Sequence, residues 1–376
     1  MMNRIRLVTM AGTGYGEAGA RYVDALRQVG VQVDWIPLNF SRGVWRSPVP
    51  AGSSDGENDY DTLVMHTVPE LYPEWLKRER RPHRRMIGLT VWETNKLPPH
   101  WPSLLNQMHA IVVPSEWNRQ VFERCEVRCP VRVVPHPCDD QPLSDRNQEW
   151  GIPRDHRVVY VIGRWTRRKG LDLAVRAFSQ CCKPGEKVTL VVKTDWWNFS
   201  RRWSARWQLY CPVWWSLRRL TRKQPSARVR LLTRRLKAEQ MRQLHQRGDI
   251  YFSLARGEGW GLGAFDAATL GRPLITTRYG GHLDYADPDH SWLVDYEPIS
   301  VDEPEGTGSY LPEQTWAEPD LRHAATQLRW VLDNFDEAND RAEDLAGRIR
   351  ERFAPSAVGR TMLAALASVA TPREHG

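Results

Sequence analysis

The sequence predicts an α/β protein of two domains, each built around a parallel β-sheet, and three observations support this. The 376 residues exceed what a single hydrophobic core usually organises. Short apolar runs rich in β-branched residues alternate with amphipathic stretches, which is the order of repeated strand–helix units. This alternation stops in a polar, proline-containing stretch at residues 139–154 and then starts again. We therefore predict a linker there.

The first half begins with a strand, a glycine turn, a helix and a second strand, which is the order of a Rossmann-like unit. Ile5–Ala11 is the first predicted strand, and the helix after the glycine turn ends at Gly30. The later strands predicted in this half are VQVDWIPL, Asp61–His66, Arg84–Trp92, HAIVVPS and VRVVPH.

The second half repeats the pattern with the strands HRVVYVIGRW, KVTLVVKT, RVRLLT, DIYFSLA and RPLITT. From Glu337 the chain is predicted to be helical, with an interruption near Pro355. The predicted domains are therefore residues 1–145 and 146–345. A helical segment, residues 346–376, is predicted to pack back on the first domain.

The composition is that of a globular protein, with 41% hydrophobic and 26% charged residues. No apolar run approaches the roughly 20 residues that a membrane-spanning helix needs, and glycines interrupt the N-terminal apolar run before a signal peptide is complete. The six cysteines are sparse and lack the spacing of a zinc site. We expect the cysteines to be reduced. We also expect a cytoplasmic protein, which is either free in the cytoplasm or bound peripherally at the inner membrane face.

Positive charge is concentrated in residues 194–235, which hold eleven lysines and arginines against one aspartate in a chain of net charge +8. Such a block predicts contact with an anionic partner. Residues 195–224 are too long and too rich in Trp and Arg for a compact connection, and we predict an insertion. Its aromatic residues follow helical spacing and would form one stripe: Phe199, Trp203, Trp207, Tyr210 and Trp214. The stripe suits packing on the second domain, an anionic membrane or nucleic acid, and the sequence leaves these open.

The most informative segment for function runs from Asp249 to Tyr285 and contains a glycine-rich turn. Glycines at positions 257, 259, 261 and 263 let backbone N–H groups approach a ligand closely, and the following helix N-terminus favours a diphosphate. Two carboxylates, Glu258 and Asp266, flank the turn and can accept hydrogen bonds from sugar and ribose hydroxyls. Glycines alone would suggest only a tight structural turn, but the paired carboxylates favour a binding site.

A second segment, VIGRWTRRKGLDLAVRAF, places Arg164 and Lys169 after the first strand of the second half. Open α/β sheets bind ligands at the carboxyl ends of their strands. Arg offers forked hydrogen bonds to phosphate oxygens and Lys a point charge, so the two can stabilise a leaving nucleoside diphosphate without a metal. The alternative is a solvated basic turn that includes Arg167 and Arg168.

These two segments resemble the donor-binding motifs of glycosyltransferase family 4, with Asp266 where the family usually has Glu. The resemblance implies the GT-B fold, in which two Rossmann-like domains face each other across a cleft. It also implies transfer from a nucleotide-diphosphate sugar, a UDP- or GDP-sugar, with retention of configuration and without a metal or other cofactor. The expected donor-binding residues are Gly14, Gly16, Arg164, Lys169, Glu258, Gly259, Trp260, Gly261, Leu262 and Asp266.

The first half resembles the acceptor domain of the same family over GLTVWETNKLPPHWPSLLNQMHAIVVPS and VRVVPHPCD. Glu93 follows a predicted strand and is our candidate for acceptor activation, although an N-cap or a buried ion pair explains it equally well. His66 is a second catalytic candidate, but a lone histidine is more often structural. Arg164 and Lys169 complete the expected catalytic set.

We therefore expect a hexosyltransferase that acts on a lipid-linked or cell-surface saccharide. An acceptor in DNA or RNA, contacted through the basic insertion, is one alternative, and a basic binding module that has lost the reaction is another. A phosphorylase or epimerase of the same fold also remains open. Together, Arg164, Lys169 and Glu258 favour an enzyme, because a degenerate site has no reason to keep all three.

Overall fold

The computed structural model describes residues 4–41, 44–47, 60–139, 150–183, 185–195, 228–303 and 308–369. The predicted insertion and its aromatic stripe lie outside the described residues, apart from Asp195. The chain divides into two compact units: unit 1 is Met1–Asp140 with Arg350–Gly376, and unit 2 is Gln141–Ile349. Each unit is an α/β domain around a mainly parallel sheet, which confirms the predicted fold class.

The sheet of unit 1 has the strand order β3-β2-β1-β4-β5-β6-β7, and every neighbouring pair except β2 and β3 is parallel. Its strands are β1 (Arg4–Met10), β2 (Gln32–Ser41), β3 (Val44–Arg46), β4 (Thr62–His66), β5 (Arg85–Leu89), β6 (Ala110–Val113) and β7 (Val131–Val133). Strands β4 and β6 are buried at every position, because helices cover both faces of a parallel sheet.

Strand β5 is shorter than predicted, because it ends at Leu89 rather than at Trp92. The Trp92 amide donates to Asn118 Oδ1 at 3.0 Å, and Asn118 Nδ2 donates to the Trp92 carbonyl at 3.0 Å. A buried side chain therefore replaces the neighbouring strand as the hydrogen-bonding partner of this backbone. The segment that carries Glu93 is consequently a fixed loop and not the end of a strand.

The helices that follow β1 to β6 in unit 1 are α1 (Gly14–Gln28), α2 (Tyr72–Glu79), α3 (Trp101–Leu105) and α4 (Glu116–Arg124), with a 3₁₀ turn at Pro69–Leu71. Helix α1 begins so early that the predicted glycine turn shrinks to residues 11–13. Thr13 caps the helix by accepting a hydrogen bond from the Gly16 amide at 3.4 Å. A Cβ at Gly19 would lie 2.3 Å from Thr9 Cγ2, so this glycine allows the helix to pack closely on β1.

The sheet of unit 2 is entirely parallel, with the strand order β10-β9-β8-β11-β12-β13. Its strands are β8 (Arg157–Ile162), β9 (Val188–Lys193), β10 (Arg228–Leu232), β11 (Ile250–Ser253), β12 (Leu274–Thr277) and β13 (Trp292–Val294). A separate antiparallel pair consists of β14 (Tyr296–Ser300) and β15 (Thr315–Pro319). Because β8 and β11 are parallel neighbours, the loops after them leave the same edge of the sheet.

The later helices are α5 (Leu171–Cys181), α6 (Ala238–Arg247), α7 (Leu262–Thr269), α8 (Leu321–Asp333), α9 (Phe335–Arg352) and α10 (Pro355–Ala367), with a 3₁₀ turn at Gly281–Asp284. In unit 2, the core packs Leu171 and Phe178 of α5 and Leu328 of α8 against the sheet. In unit 1, α10 packs on α1, where a Cβ at Gly359 would lie 2.3 Å from the Ala25 carbonyl oxygen. None of the helices described is long and apolar enough to cross a membrane.

Candidate active site

Lys169 and Glu258, both predicted to bind the donor, meet at one edge of the unit 2 sheet. Lys169 lies on the loop after β8 and Glu258 on the loop after β11. Lys169 Nζ donates to Glu258 Oε1 at 2.5 Å, while Arg168 donates to Glu258 Oε2 at 3.4 Å and to the Gly257 carbonyl at 2.7 Å. The three charged side chains are only 12 to 21% exposed. Two cations thus share one carboxylate beside the glycine-rich turn.

Two glycines allow the loops to come this close. Gly170 has φ +56°, and a Cβ there would lie 2.1 Å from the Leu254 carbonyl oxygen on the loop after β11. Gly280 has φ +111°, and its Cβ would lie 2.5 Å from the Glu258 carbonyl oxygen. That same oxygen accepts a hydrogen bond from the Gly281 amide at 2.7 Å. A side chain at either glycine would strain the backbone and displace the Glu258 loop.

The Glu258 carboxyl is ionised in spite of its burial. Desolvation acts to raise its pKa, but the nearby charges of Lys169 and Arg168 and the hydrogen bond from Lys169 outweigh desolvation and hold the pKa below its ordinary value. The carboxylate is consequently charged at neutral pH.

The glycine-rich turn leads directly into α7. Gly261 adopts a left-handed conformation with φ +80° immediately before Leu262, the first residue of the helix. The Trp260 ring is buried and packs against Phe265 and Tyr285, with ring centroids 5.1 Å apart in both cases. Tyr285 Oη also donates to the Trp260 carbonyl at 2.9 Å and to the Gly261 carbonyl at 3.1 Å. The aromatic packing therefore fixes the backbone that precedes the helix N-terminus.

Arg164 and Asp266 are the other charged residues expected at the donor site. The Arg164 side chain is 72% exposed, and its Nε lies 3.9 Å from Asp195 Oδ2 at the start of the predicted insertion. Asp266 is half-buried within α7. Gly259 is buried in the turn itself. Arg164 is therefore the most accessible of the predicted phosphate-binding cations.

Arg168 is not among the donor-binding residues expected from the sequence, where it enters only through the alternative of a solvated basic turn. In the structure its side chain is 15% exposed and bonds to both the backbone and the carboxylate of the Glu258 loop. Arg167 next to it is 40% exposed and pairs with Asp302 at 2.5 Å. The only signal in the sequence is a run of three cations, and it does not distinguish the buried one from the exposed one.

In unit 1, Glu93 is half-buried on the loop that Asn118 fixes. Trp92 Nε1 donates to Thr94 Oγ1 at 2.7 Å and to the Lys96 carbonyl at 2.6 Å, and so ties Trp92 to the chain that follows Glu93. These contacts fix Trp92 and Thr94, the residues on either side of Glu93.

His66, the other catalytic candidate in unit 1, is a buried neutral imidazole. It is 1% exposed, and burial lowers its pKa to about 3. The rings of Tyr15 and Tyr22 contact it edge-on, with centroids at 5.0 Å and 5.7 Å. His66 Nδ1 has no hydrogen-bond partner among the described residues. Gly14 and Gly16, also in unit 1, lie in the first turn of α1.

No group of three or more His, Cys, Asp or Glu side chains in the described residues is arranged to hold a metal ion. The acidic pair Asp287 and Asp289 has a structural role, because Asp287 Oδ1 accepts hydrogen bonds from the Asp289 amide at 2.8 Å and the His290 amide at 3.1 Å. His290 in turn lies 2.8 Å from Asp344 Oδ2. These contacts tie a turn of unit 2 to α9.

Two cations of the basic segment 194–235 pack on the start of unit 2. A Cβ at Gly151 would lie 2.8 Å from Arg230 Nη2, and the Arg234 guanidinium lies 5.4 Å from the ring centroid of Trp150. Trp150 is 5% exposed. Part of the positive charge in this segment therefore covers the protein's own surface.

Comparison with known proteins agrees with this architecture. The family described as Family 4 Glycosyltransferase in conflict systems matches residues 113–362, which is more than half of the chain. The lipopolysaccharide 1,2-N-acetylglucosaminetransferase of Salmonella typhimurium is 27% identical over 138 residues, or 35% of this chain. That match spans only 34% of the relative's own length.

Solved structures with the GT-B fold superpose on nearly the whole chain. HepE of Anabaena, in complex with UDP and glucose, has a TM-score of 0.68 at 14% identity, covering 97% of this chain and 100% of its own. The sucrose-phosphate synthase of Thermosynechococcus elongatus has a TM-score of 0.67 at 15% identity, covering 97% and 98%. At these identities the similarity shows the fold, and the fold is GT-B.

Proposed function

Because the chain belongs to the family 4 glycosyltransferases in conflict systems, we propose that it transfers a sugar from a UDP-sugar to a saccharide acceptor with retention of configuration. The observation that carries the donor proposal is the pairing of Lys169 and Glu258 at the carboxyl ends of β8 and β11. This edge is where parallel sheets bind ligands. In the chain, Glu258 is followed directly by the rest of the glycine-rich turn and then by the N-terminus of α7.

The charges around this pair suit a nucleoside diphosphate. Positive charge for the phosphate oxygens comes from Lys169, from Arg168 next to it in the chain and from the exposed Arg164. These cations stabilise the negative charge that develops on the leaving group. Glu258 accepts hydrogen bonds from sugar hydroxyls. No metal is needed for this division of roles, so we propose a metal-independent reaction. UDP is favoured over GDP as the nucleotide because HepE was crystallised with UDP.

The acceptor is proposed to be a lipid-linked or cell-surface saccharide. The Salmonella relative, by its name, acts on lipopolysaccharide, and this supports a sugar acceptor. Glu93, on its fixed loop in unit 1, is proposed to activate the acceptor hydroxyl or to stabilise charge as the hydroxyl attacks. The basic segment 194–235 is proposed to bring the protein to an anionic surface, which would place it peripherally at the inner membrane face.

A thermal-shift screen of nucleotide sugars tests the donor proposal. A ligand at a hundred times its dissociation constant adds about 2.7 kcal/mol to the free energy of unfolding, so UDP-sugars should raise the melting temperature and GDP-sugars should do so less. EDTA should leave both the shift and the transferase activity intact. The proposal would be contradicted if no nucleotide sugar raised the melting temperature. It would also be contradicted if activity required an added divalent ion.

The acceptor is tested by mass spectrometry of products after incubation with the preferred donor. Lipid-linked saccharides and lipopolysaccharide cores should gain the mass of one hexosyl residue, that is, a hexose minus one water, while DNA and RNA oligonucleotides should not. Modification of an oligonucleotide alone would overturn the proposed acceptor class without affecting the donor assignment.

A further inference from the structure

Arg256 joins both loops of the candidate donor site to a third element, the strand pair β14 and β15. Its side chain is 5% exposed. Nε donates to Glu318 Oε2 at 2.5 Å, and Nη2 donates to Glu318 Oε1 at 2.9 Å. Nη1 donates to the Arg167 carbonyl at 2.5 Å. One guanidinium therefore donates two hydrogen bonds to Glu318 on β15 and a third to the loop after β8.

The backbone of Arg256 repeats this connection. Its amide donates to the Arg168 carbonyl at 2.7 Å, and its carbonyl accepts from the Ala317 amide on β15 at 2.9 Å. Arg168 is the residue before Lys169, and Arg256 is two residues before Glu258. Arg256 therefore bonds to the two residues that precede Lys169, and it lies two residues before Glu258 itself.

Two acidic residues just after β14 reinforce the arrangement. Asp302 pairs with Arg167 at 2.5 Å, and Glu303 Oε2 accepts from the Arg168 amide at 2.9 Å. The loop after β8 is thus held from the side of β14 and β15 at two consecutive residues. Neither acid replaces Arg256, because only Arg256 also belongs to the loop that carries Glu258.

We infer that Arg256 and Glu318 are positioning residues of the donor site, which hold the Lys169 loop and the Glu258 loop in register so that the ammonium and the carboxylate meet the donor together. The forked pair suits this role because two parallel hydrogen bonds fix the orientation of the guanidinium as well as its position. Its third N–H is then aimed at the Arg167 carbonyl. Arg256 acts through Lys169 and Glu258 and is not itself assigned a contact with the donor.

The test uses Glu318→Gln and Arg256→Lys, with the affinity for UDP measured by calorimetry on the full chain. Gln keeps one hydrogen-bond acceptor but loses the charge, and Lys keeps the charge but loses the fork. Each variant should bind UDP roughly tenfold more weakly than the wild type, the size expected when contacting groups are coupled. In the transfer reaction the donor KM should rise by a similar factor, while kcat changes less than about threefold.

Two controls separate positioning from general destabilisation. Glu337→Gln removes the same charge from an exposed pair with Arg341 on α9, and it should leave UDP affinity unchanged. Val331→Ala opens a cavity in the fully buried core of the same unit and lowers the melting temperature without touching either loop. It should leave UDP affinity within about twofold of the wild type.

The inference rests on the proposed function, and the outcomes keep the two apart. If wild-type protein binds neither UDP nor GDP, the proposed donor fails and the positioning role falls with it. If the wild type binds UDP and both site variants bind it equally well, only the positioning role is overturned. An equal loss of UDP affinity in Val331→Ala and Glu318→Gln would also overturn it, because the effect would then follow stability.

Discussion

Lys169 Nζ lies 2.5 Å from Glu258 Oε1, so the two residues expected to hold opposite ends of a sugar diphosphate are paired with each other. Residues 89 positions apart in the chain meet because β8 and β11 are parallel neighbours and because glycines at positions 170 and 280 leave room for the loops. Arg168 provides a second cation on the same carboxylate. The pair is consequently already formed in the structure.

Glu258→Gln should weaken the binding of a UDP-sugar more than that of UDP. The hydroxyl-accepting carboxylate is lost, whereas Lys169 remains charged and available to the diphosphate. We expect a loss of roughly tenfold for the UDP-sugar, the size of one hydrogen bond to a charged group, and less than about threefold for UDP. Glu186→Gln, which removes a partner of Arg329 elsewhere in unit 2, serves as the matched control in competition titrations. Equal losses for both ligands would show that Glu258 does not contact the sugar.

Asn118→Asp should lower turnover without changing donor affinity. Asp still accepts from the Trp92 amide, but it no longer donates to the Trp92 carbonyl, and the loop that carries Glu93 loosens. A displacement of about 1 Å can cost up to roughly a hundredfold in rate, so kcat should fall at least about tenfold.

Asn106→Asp is the control for Asn118→Asp, because Asn106 makes the same kind of loop contact to Glu126 and Arg128 in unit 1. It should keep wild-type kcat. Steady-state kinetics check both variants, and an Asn118→Asp enzyme with unchanged kcat while Glu93→Gln is inactive would show that the loop needs no such support.

Acid should destabilise the protein partly through His66. Burial lowers the pKa of this histidine to about 3, whereas the unfolded side chain has a pKa of about 6.5. Between these values only the unfolded state binds the proton, so the free energy of unfolding falls as the pH drops below about 6.5. His66→Leu should reduce that slope by about 1 kcal/mol per pH unit between about pH 4 and pH 6.

Urea unfolding at several pH values measures the slope. His100→Leu, which changes an exposed histidine paired with Glu70, should leave it close to the wild-type value. If His66→Leu also leaves the slope unchanged, His66 binds the proton equally in the folded and the unfolded protein, and burial does not lower its pKa.

A buried charge network stabilises unit 1 at the other end of its sheet. Glu79 accepts from Tyr60 Oη at 2.5 Å and pairs with Arg84 at 3.2 Å, and both ends of the ion pair are about 90% buried. Glu79→Ala leaves the arginine without its carboxylate and should cost about 3–5 kcal/mol of the free energy of unfolding. Glu337→Ala, in the exposed pair with Arg341, should cost less than about 1 kcal/mol. Chemical denaturation measures both losses. If Glu79→Ala and Glu337→Ala lowered the free energy of unfolding by similar amounts, burial would not account for the stabilising effect of the Glu79 network.

Much of the architecture could be predicted from sequence because it follows from local pattern. The alternation of apolar and amphipathic segments predicts the two parallel sheets, and the spacing from Arg164 to Lys169 places both after β8. The position of Glu258 on the loop after β11 follows from the same pattern. The motif thus indicates which loops meet, since parallel strands bring their ends to a common edge.

What the sequence could not predict depends on partners far away in the chain. Strand β5 stops at Leu89 because Asn118, 26 residues beyond Trp92, takes over the backbone hydrogen bonds. The partner of Arg256 is Glu318, which is 62 residues away, and no periodicity links the two. His66 ends a strand as predicted, but its enclosure by Tyr15 and Tyr22 depends on how α1 packs on the sheet.

The most direct test is calorimetric titration of UDP, in the presence of EDTA, into the wild type, Lys169→Ala and Lys187→Ala. The last variant removes a lysine of the same unit whose exposed side chain pairs with Asp155. The wild type and Lys187→Ala should bind alike, and Lys169→Ala should bind roughly 10- to 100-fold more weakly, the loss expected for a charge-assisted hydrogen bond to phosphate. Equal affinity in all three proteins, or no binding without a divalent ion, would contradict the account.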